Sequence, residues 1–242
     1  MAPANKTLNG LPQLPDCNQS PSAAFEAVVL IVDPLLTQRE LDALLPFVSL
    51  EKQERIKRFH FVRDTQNALL GDILARVEIC RATGLSNKQL AFSTNEYGKP
   101  YLTTTLDIHY NISHAGHYIA CAIDEQPVGI DIEMMKAVDL KLAERFFSPD
   151  EAEYILAATG VLTTRRFFEV WTKKESRIKW EGKGLSKPLP SFSVFDFEEQ
   201  RAIYYHQVFH DDKAICHLCS AKREEPSVRV MDTAALLGCI NL

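Results

Sequence analysis

The sequence predicts an α+β fold of two similar halves, related by pseudo-twofold symmetry, with a cleft between them. Three observations lead there. A short β-rich run, a basic helix start, a long helix and a group of strands follow one another, and then the same order comes again. Arg58-Phe-His60 and Arg145-Phe-Phe147 stand at corresponding points of the two passes. The chain has 242 residues, enough for one large domain or for two of about 100–120 residues.

Taken in order, Ala27–Val32 is rich in β-branched residues and reads as the first strand. Helical spacing runs from Thr37 to Phe47, followed by the basic stretch Glu51–Phe59. Arg63–Thr83 reads as a long helix, because Leu69, Leu70, Ile73, Leu74, Val77 and Ile79 form a wide apolar stripe closed by Gly84. Gly98 and Pro100 mark a turn. Strands are expected at Ile108–Ile112, Tyr118–Ile123 and Val128–Ile132, with Pro127 separating the last two. Beyond Arg145, Ser148 is a natural N-cap, Pro149 fits the first helical position and Glu151 completes a capping box. A second long helix is predicted over Thr164–Trp180, ending at Gly182, and later strands over Ser191–Phe197, Ile203–Phe209 and Ala214–Ser220. The expected division is a flexible N-terminal extension over 1–24, an N-terminal half over 25–127 and a C-terminal half over 128–242.

Composition narrows the function. A hydrophobic share of 46% and a charged share of 24% are those of a soluble globular protein. The net charge of −5 supplies no global basic field to draw in nucleic acid or an anionic membrane, so any bound anion must be held by local clusters. No apolar run reaches the roughly 18–20 residues of a transmembrane helix. The opening residues, rich in Pro, Asn, Gln and Ser, lack the basic-then-apolar layout of a signal peptide. Six cysteines in apolar surroundings fit the reduced, buried thiols of a cytoplasmic protein. Cys216 and Cys219 form a lone CxxC, but Lys213–Ala221 reads as a strand and no second ligand pair follows.

Gly129-Ile-Asp-Ile-Glu133 is the most informative segment. Asp131 and Glu133 lie two apart on a strand, so both carboxylates point to one side while Ile130 and Ile132 point to the other. Two acids converging from a strand make a site for a hard divalent cation such as Mg²⁺, which keeps waters and binds phosphates. In isolation the pair would be a solvated edge. On the predicted second helix, however, Trp171, Glu175 and Lys179 recur at i, i+4 and i+8, so an aromatic ring, a third carboxylate and a cation share one face. The following segment, Glu181–Pro190, is a glycine-hinged basic loop.

Gly-Ile-Asp-Ile-Glu spaced from Trp-x-x-Lys-Glu-Ser-x-x-Lys resembles the signature of the Sfp-type 4′-phosphopantetheinyl transferases, in the subfamily whose second motif ends in Lys-Glu-Ser. Arg58-Phe-His60, Leu69–Asp72, Glu96–Pro100, Asn111–His114 and the Glu181–Leu189 loop are similar to family segments and occur in the same order. The resemblance covers Val28 to Ser220. It implies two closely packed α+β halves with coenzyme A in the cleft. It also implies that Asp131, Glu133 and Glu175 hold Mg²⁺ (or Mn²⁺) against the CoA pyrophosphate, and that Lys179 neutralises a pyrophosphate oxygen. By the same resemblance, Ser113 and His114 meet the 3′-phosphate, Gly98 and Lys99 line the adenine end, and Lys52 and Arg55 reach the nucleotide phosphates. Asp131, Glu175 and Lys179 are thereby the catalytic candidates, with Glu175 or a metal-bound water as the base. Arg55 stands where a lysine is familiar, and Ala68 where some members carry a hydroxyl.

The implied reaction moves the 4′-phosphopantetheine arm of CoA to a serine of an apo carrier protein (peptidyl, aryl or acyl), releasing 3′,5′-ADP. Lys-Glu-Ser members lean toward nonribosomal peptide and polyketide synthesis, and a cytoplasmic monomer is expected. Lys183–Lys187 with Val138, Leu140 and Leu142 is a candidate docking surface for the carrier. Two rivals stand beside this reading. A non-catalytic CoA- or nucleotide-binding module would keep His114 and Lys99 without needing three acids. A nucleic-acid binder would use Lys52–Arg58 and Lys173–Lys179, against the net charge and the interleaved carboxylates.

Overall fold

The computed structural model describes residues 25–184, 187–196 and 202–240. The expected N-terminal extension, Cys17 and the residues Leu185 and Ser186 of the basic loop lie outside the described residues. The chain has a mixed α+β fold. Strand β1 (Glu26–Ile31) leads to α1 (Gln38–Leu44), α2 (Leu50–Ile56) and the long α3 (Val62–Thr83). A short hairpin, β2 (Phe92–Thr94) and β3 (Pro100–Leu102), precedes β4 (His109–Ala115), β5 (Tyr118–Asp124) and β6 (Val128–Met134). Then come α4 (Lys141–Phe146), α5 (Pro149–Leu156), α6 (Val161–Glu181), β7 (Tyr204–His210), β8 (Ala214–Ser220), β9 (Ser227–Asp232) and α7 (Thr233–Gly238).

Local chemistry accounts for the boundaries. Thr37 caps α1 with a reciprocal bond to Glu40, and Ser148 caps α5 through the predicted box with Glu151. Helices α3 and α6 both stop at a left-handed glycine, Gly84 at φ 71° and Gly182 at φ 70°, a conformation that residues with a Cβ adopt at a cost.

The strands form two main sheets, ordered β4-β5-β1-β9 and β6-β8-β7, with β2-β3 apart. In both, a strand is followed by a long helix and a hairpin whose second strand pairs antiparallel with the first. Period-2 alternation sorts each sheet into two faces. Val28, Leu30, Ile119, Cys121 and Ile123 pack on α3. Ala27, Val29, Ala120 and Ala122 on the other face meet Ile130, Ile132, Cys216 and Leu218 of the second sheet. Helix α6 covers the far face of that sheet. The order of layers is helix, sheet, sheet, helix.

Two segments depart from the sequence reading. Ser191–Phe197 was expected as a strand, but Leu189–Ser191 is a turn of 3₁₀-helix and the following described residues make turns. The cause is the buried Lys174, whose ammonium binds Leu189 O (2.9 Å), Phe192 O (2.5 Å) and Glu151 (2.7 Å). Backbone groups there go to side chains instead of a ladder: Val194 N–H donates to Glu151 Oε1 and Phe195 N–H to Ser193 Oγ. At the other end of the chain, β9 runs parallel to β1 and α7 packs beside it, so the C-terminal segment returns to the first sheet.

Candidate active site

Strands β4 and β6 are facing edges of the two sheets, and side chains bridge them. Asn111 Oδ1 accepts the Ile130 N–H (2.8 Å), and Ser113 Oγ donates to Asp131 Oδ1 (2.9 Å). On β6, Gly129, Asp131 and Glu133 turn toward α6, opposite Ile130 and Ile132, which lie in the inter-sheet core. Gly129 lets the helix come close. A Cβ there would stand 2.0 Å from Ser176 O and 2.3 Å from Trp180 N.

A cleft of about 420 Å³ opens at this seam, lined by Ile112, Ser113, His114, Asp131, Glu133, Trp171, Glu175 and Lys179. Six of the ten predicted site residues therefore share one cavity. The Lys179 ammonium is the hub, donating to Asp131 Oδ1 (2.6 Å) and Ser113 Oγ (2.8 Å). The Trp171 ring stacks on Phe167 and meets Phe146 and Phe147 edge-on, forming an apolar wall. Asp131 is buried, and its second oxygen, Oδ2, has no hydrogen-bond partner among the described residues. Burial raises the Asp131 carboxyl against the pull of Lys179. Burial also raises Glu133, reinforced by the like charges of Asp131 and Glu175, and raises Glu175, reinforced by Asp131. Among the described residues, no three His, Cys, Asp or Glu side chains stand together as a ready-made metal ligand set.

Lys52, Arg55, Gly98 and Lys99 are not among the residues that line the cavity. Ser113 and His114 are strand neighbours and so project oppositely: Ser113 toward β6, His114 toward α3. Burial and the charge of Lys179 lower the His114 imidazole, with Lys52 acting in the same direction. Lys52 is half-buried and pairs with Asp72 of α3 at 3.6 Å. Arg55 is exposed one turn further along α2. Gly98 sits in the β2–β3 turn at φ 84°. Lys99 does not line the cleft, since its ammonium is bound to the backbone oxygens of Val128 (3.1 Å) and Lys179 (2.5 Å). Among the candidate docking residues, Val138 and Leu142 pack on the α6 core, whereas Leu140 is exposed. Lys187 pairs with Glu181 at 2.7 Å.

Asn111 opens one of the family-like segments of the sequence but carries no site role there, and the structure makes it a contributor. Period-2 spacing back from Ser113 puts it on the β6-facing side, which is the signal that would have found it. The CxxC resolves into two free thiols on opposite faces of β8, Cys216 in the inter-sheet core and Cys219 toward α6; burial raises both. No helix among the described residues is long and apolar enough to cross a membrane.

Residues 36–126 match the family model of the 4′-phosphopantetheinyl transferase N-terminal domain, and residues 127–233 that of the 4′-phosphopantetheinyl transferase superfamily. The chain is 46% identical over 165 residues to 4′-phosphopantetheinyl transferase Sfp of Bacillus subtilis (strain 168), covering 68% of this chain and 74% of the relative. It is 44% identical over 172 residues to 4′-phosphopantetheinyl transferase ffp of Bacillus subtilis, covering 71% and 77%. With 4′-phosphopantetheinyl transferase gsp of Aneurinibacillus migulanus it shares 41% over 157 residues, 65% of each chain.

Proposed function

From the premise that this chain belongs to the 4′-phosphopantetheinyl transferase superfamily, we propose that the cleft at the β4–β6 seam carries out the transfer. The enzyme moves the phosphopantetheine group of coenzyme A to a carrier protein. The observation that carries the site assignment is the Lys179 ammonium held between Asp131 and Ser113 while Glu133 and Glu175 face the same cavity. A cation and three acids around one concavity suit a substrate with a pyrophosphate and a divalent cation better than a bare nucleotide. That favours the enzyme over the non-catalytic binding module.

Asp131, Glu133 and Glu175 would hold Mg²⁺. The donor set fits on one point of structure: Asp131 Oδ2 is a buried carboxylate oxygen with no partner among the described residues, the atom a cation would satisfy. When bound, the ion supplies charge neutralisation at the pyrophosphate. The rest of the work falls to side chains. Lys179 binds a pyrophosphate oxygen and offsets the charge that grows on the leaving 3′,5′-ADP. Glu175 accepts the proton of the carrier serine as its oxygen bonds to the β-phosphorus and the bond from that phosphorus to the bridging oxygen breaks. Burial raises the Glu175 carboxyl, which makes its carboxylate a stronger base than a free glutamate. Trp171 closes one wall and limits water.

Around this centre, Ser113 and His114 meet the 3′-phosphate, with Lys52 and Arg55 toward the nucleotide. The Lys99 ammonium is engaged, so the adenine end falls to the Gly98–Lys99 backbone. The equal strand–helix–hairpin order of the two halves supports the pseudo-twofold relation, with the boundary near residue 127 and the cleft between. Peptidyl, aryl or acyl carrier domains are the proposed recipients, docking near Leu140 and Lys187. Free thiols at Cys121, Cys216, Cys219 and Cys239 support a cytoplasmic setting, and a monomer is the proposed state. Incubation with CoA, Mg²⁺ and several apo-carriers, read by intact mass, tests the reading. A gain of one phosphopantetheine arm is expected. No gain on any carrier, with CoA still bound, would leave the binding module standing.

A further inference from the structure

The turn joining β2 to β3 rests on the C-terminus of α6. Asn95 organises it: Oδ1 accepts the N–H groups of Tyr97 and Lys99, both at 2.9 Å, and Nδ2 donates to Gly182 O at 2.8 Å. Lys99 then reaches beneath the helix end. Its ammonium donates to Lys179 O (2.5 Å), Val128 O (3.1 Å) and, more weakly, Trp180 O (3.5 Å). Helices leave their last four carbonyls without intrahelical partners, and the negative end of the macrodipole favours a cation there. Burial, which pulls the lysine down to about 8, fits an ammonium handed from water to carbonyl oxygens. The fit is close. A Cβ on Gly182 would lie 3.1 Å from Lys99 Cδ and 3.4 Å from Asn95 Nδ2.

The acceptors belong to the two elements that carry the site. Lys179 lies in the last turn of α6; Lys99 holds its carbonyl, while Asp131 and Ser113 hold its ammonium. Val128 opens β6, three residues before Asp131. Helix ends fray unless tied down, and fraying of this turn would carry Lys179 away from Asp131. We propose that Lys99 is a positioning residue for the transfer reaction, locking the last turn of α6 to the start of β6 and thereby setting the Lys179–Asp131 pairing. This role rests on the reading of the cleft as the transferase site, and is separate from contact with the nucleotide.

The test is a double-mutant cycle on Lys99→Met and Lys179→Ala, measuring kcat and KM for transfer to an apo-carrier with CoA and Mg²⁺. Binding of 3′,5′-ADP is followed by calorimetry. Lys99→Met is expected to lower kcat by roughly 10–100-fold, the cost of about 1 Å of misplacement, with Lys99→Arg recovering part of the loss. Affinity for 3′,5′-ADP should stay within about twofold, and Lys99→Met should add less than about twofold in the Lys179→Ala background. Multiplicative losses would mean that Lys99 acts independently of Lys179 and would overturn the proposal, as would a fall in 3′,5′-ADP affinity that accounts for the whole loss. If Lys99→Met does not fold, Asn95→Ala removes the clamp bond to Gly182 together with the two bonds that shape the turn, and its loss must likewise vanish in the Lys179→Ala background. If Lys179→Ala alone transfers normally, the cleft reading fails. If it is impaired and the losses multiply, only the role of Lys99 fails.

Discussion

Replacing Gly129 by alanine puts one methyl group where β6 meets α6. The new carbon would stand 2.0 Å from Ser176 O, 2.3 Å from Trp180 N and 2.9 Å from Trp180 Cα. All three are backbone atoms of the helix, so no rotamer change relieves the clash. Real Cβ contacts hardly ever fall below 3.0 Å, so strand and helix must part by at least about 1 Å. Overpacking of this kind costs ~1–3 kcal/mol, which for a chain of this size lowers Tm by roughly 2–12 °C. The chemistry suffers more. Asp131 and Glu133 travel with β6, while Glu175 and Lys179 travel with α6. A shift of about 1 Å takes the 2.6 Å bond between Lys179 and Asp131 beyond hydrogen-bonding range, and misplacement on that scale costs roughly 100-fold in rate. Thermal melts and initial rates of carrier modification by intact mass provide the assay. A folded Gly129→Ala protein that transfers within about threefold of the parent would refute the idea that this contact sets the spacing of the site.

Glu175→Gln should keep 3′,5′-ADP binding within a few fold while transfer falls by about 10²–10⁴-fold; near-normal transfer would rule out its role as base and ligand. Lys174→Met strands the carboxylate of Glu151, whose pair at 2.7 Å has both side chains 0% exposed, and should cost ~3–5 kcal/mol. A melt lowered by less than about 2 °C would contradict that. The buried His217 donates Nδ1–H to Thr172 Oγ1 at 2.8 Å, since that hydroxyl already donates to Phe168 O. Burial holds its pKa well below 6.5. The unfolded chain therefore takes up this proton first. The stability His217 provides above pH 6.5 is lost as pH falls toward the depressed value, by up to about 1.4 kcal/mol per unit. His109 and His114, lowered mainly by burial, act in the same direction. Melts at pH 7.5, 6.5 and 5.5 (approximate settings around the free imidazole value) should show a shallower acid decline for His217→Gln; an unchanged slope would sink the assignment.

What the sequence discloses depends on how local the cause is. The helix over Val62–Thr83, its stop at Gly84 and the Ser148–Glu151 cap are set by neighbours within a few residues, and all are readable in advance. The Asp131, Glu133, Glu175 and Lys179 set is nearly as readable, because period 2 on a strand and 3.6 on a helix fix which side chains share a face. The segment after Leu189 misleads for the opposite reason. Ser-Phe-Ser-Val-Phe alternates like a strand, but its backbone is claimed by Lys174 and Glu151 from elsewhere in the chain. Strand β9 is invisible for a related reason: its partner β1 lies about 200 residues earlier, and parallel pairing leaves no hairpin signal. Lys99 shows the limit most clearly. Its spacing says turn, and only the landing point of the α6 terminus shows what its ammonium is for.

The electrostatics of the cleft run against stability, and that opposition is informative. Asp131, Glu133 and Glu175 are all raised above ordinary carboxylates, chiefly by burial, and Glu133 and Glu175 also by their acidic neighbours. Lys179 is the cation that lowers each of them, and by geometry it can fully satisfy only Asp131 Oδ1. A site selected for stability alone would trade one acid for an amide and leave no buried oxygen without a partner. Keeping the excess negative charge makes sense if the working state brings a divalent cation to Asp131 Oδ2 and an anion to Lys179, so that the unfavourable terms of the free protein become binding energy in the complex. The framework is correspondingly firm. Asn111 ties β4 to β6, and Lys99 with the bare Gly129 seats β6 against α6. Like charges pressed together would otherwise push the two elements apart, so the rigidity of the seam and the repulsion inside it are two sides of one requirement.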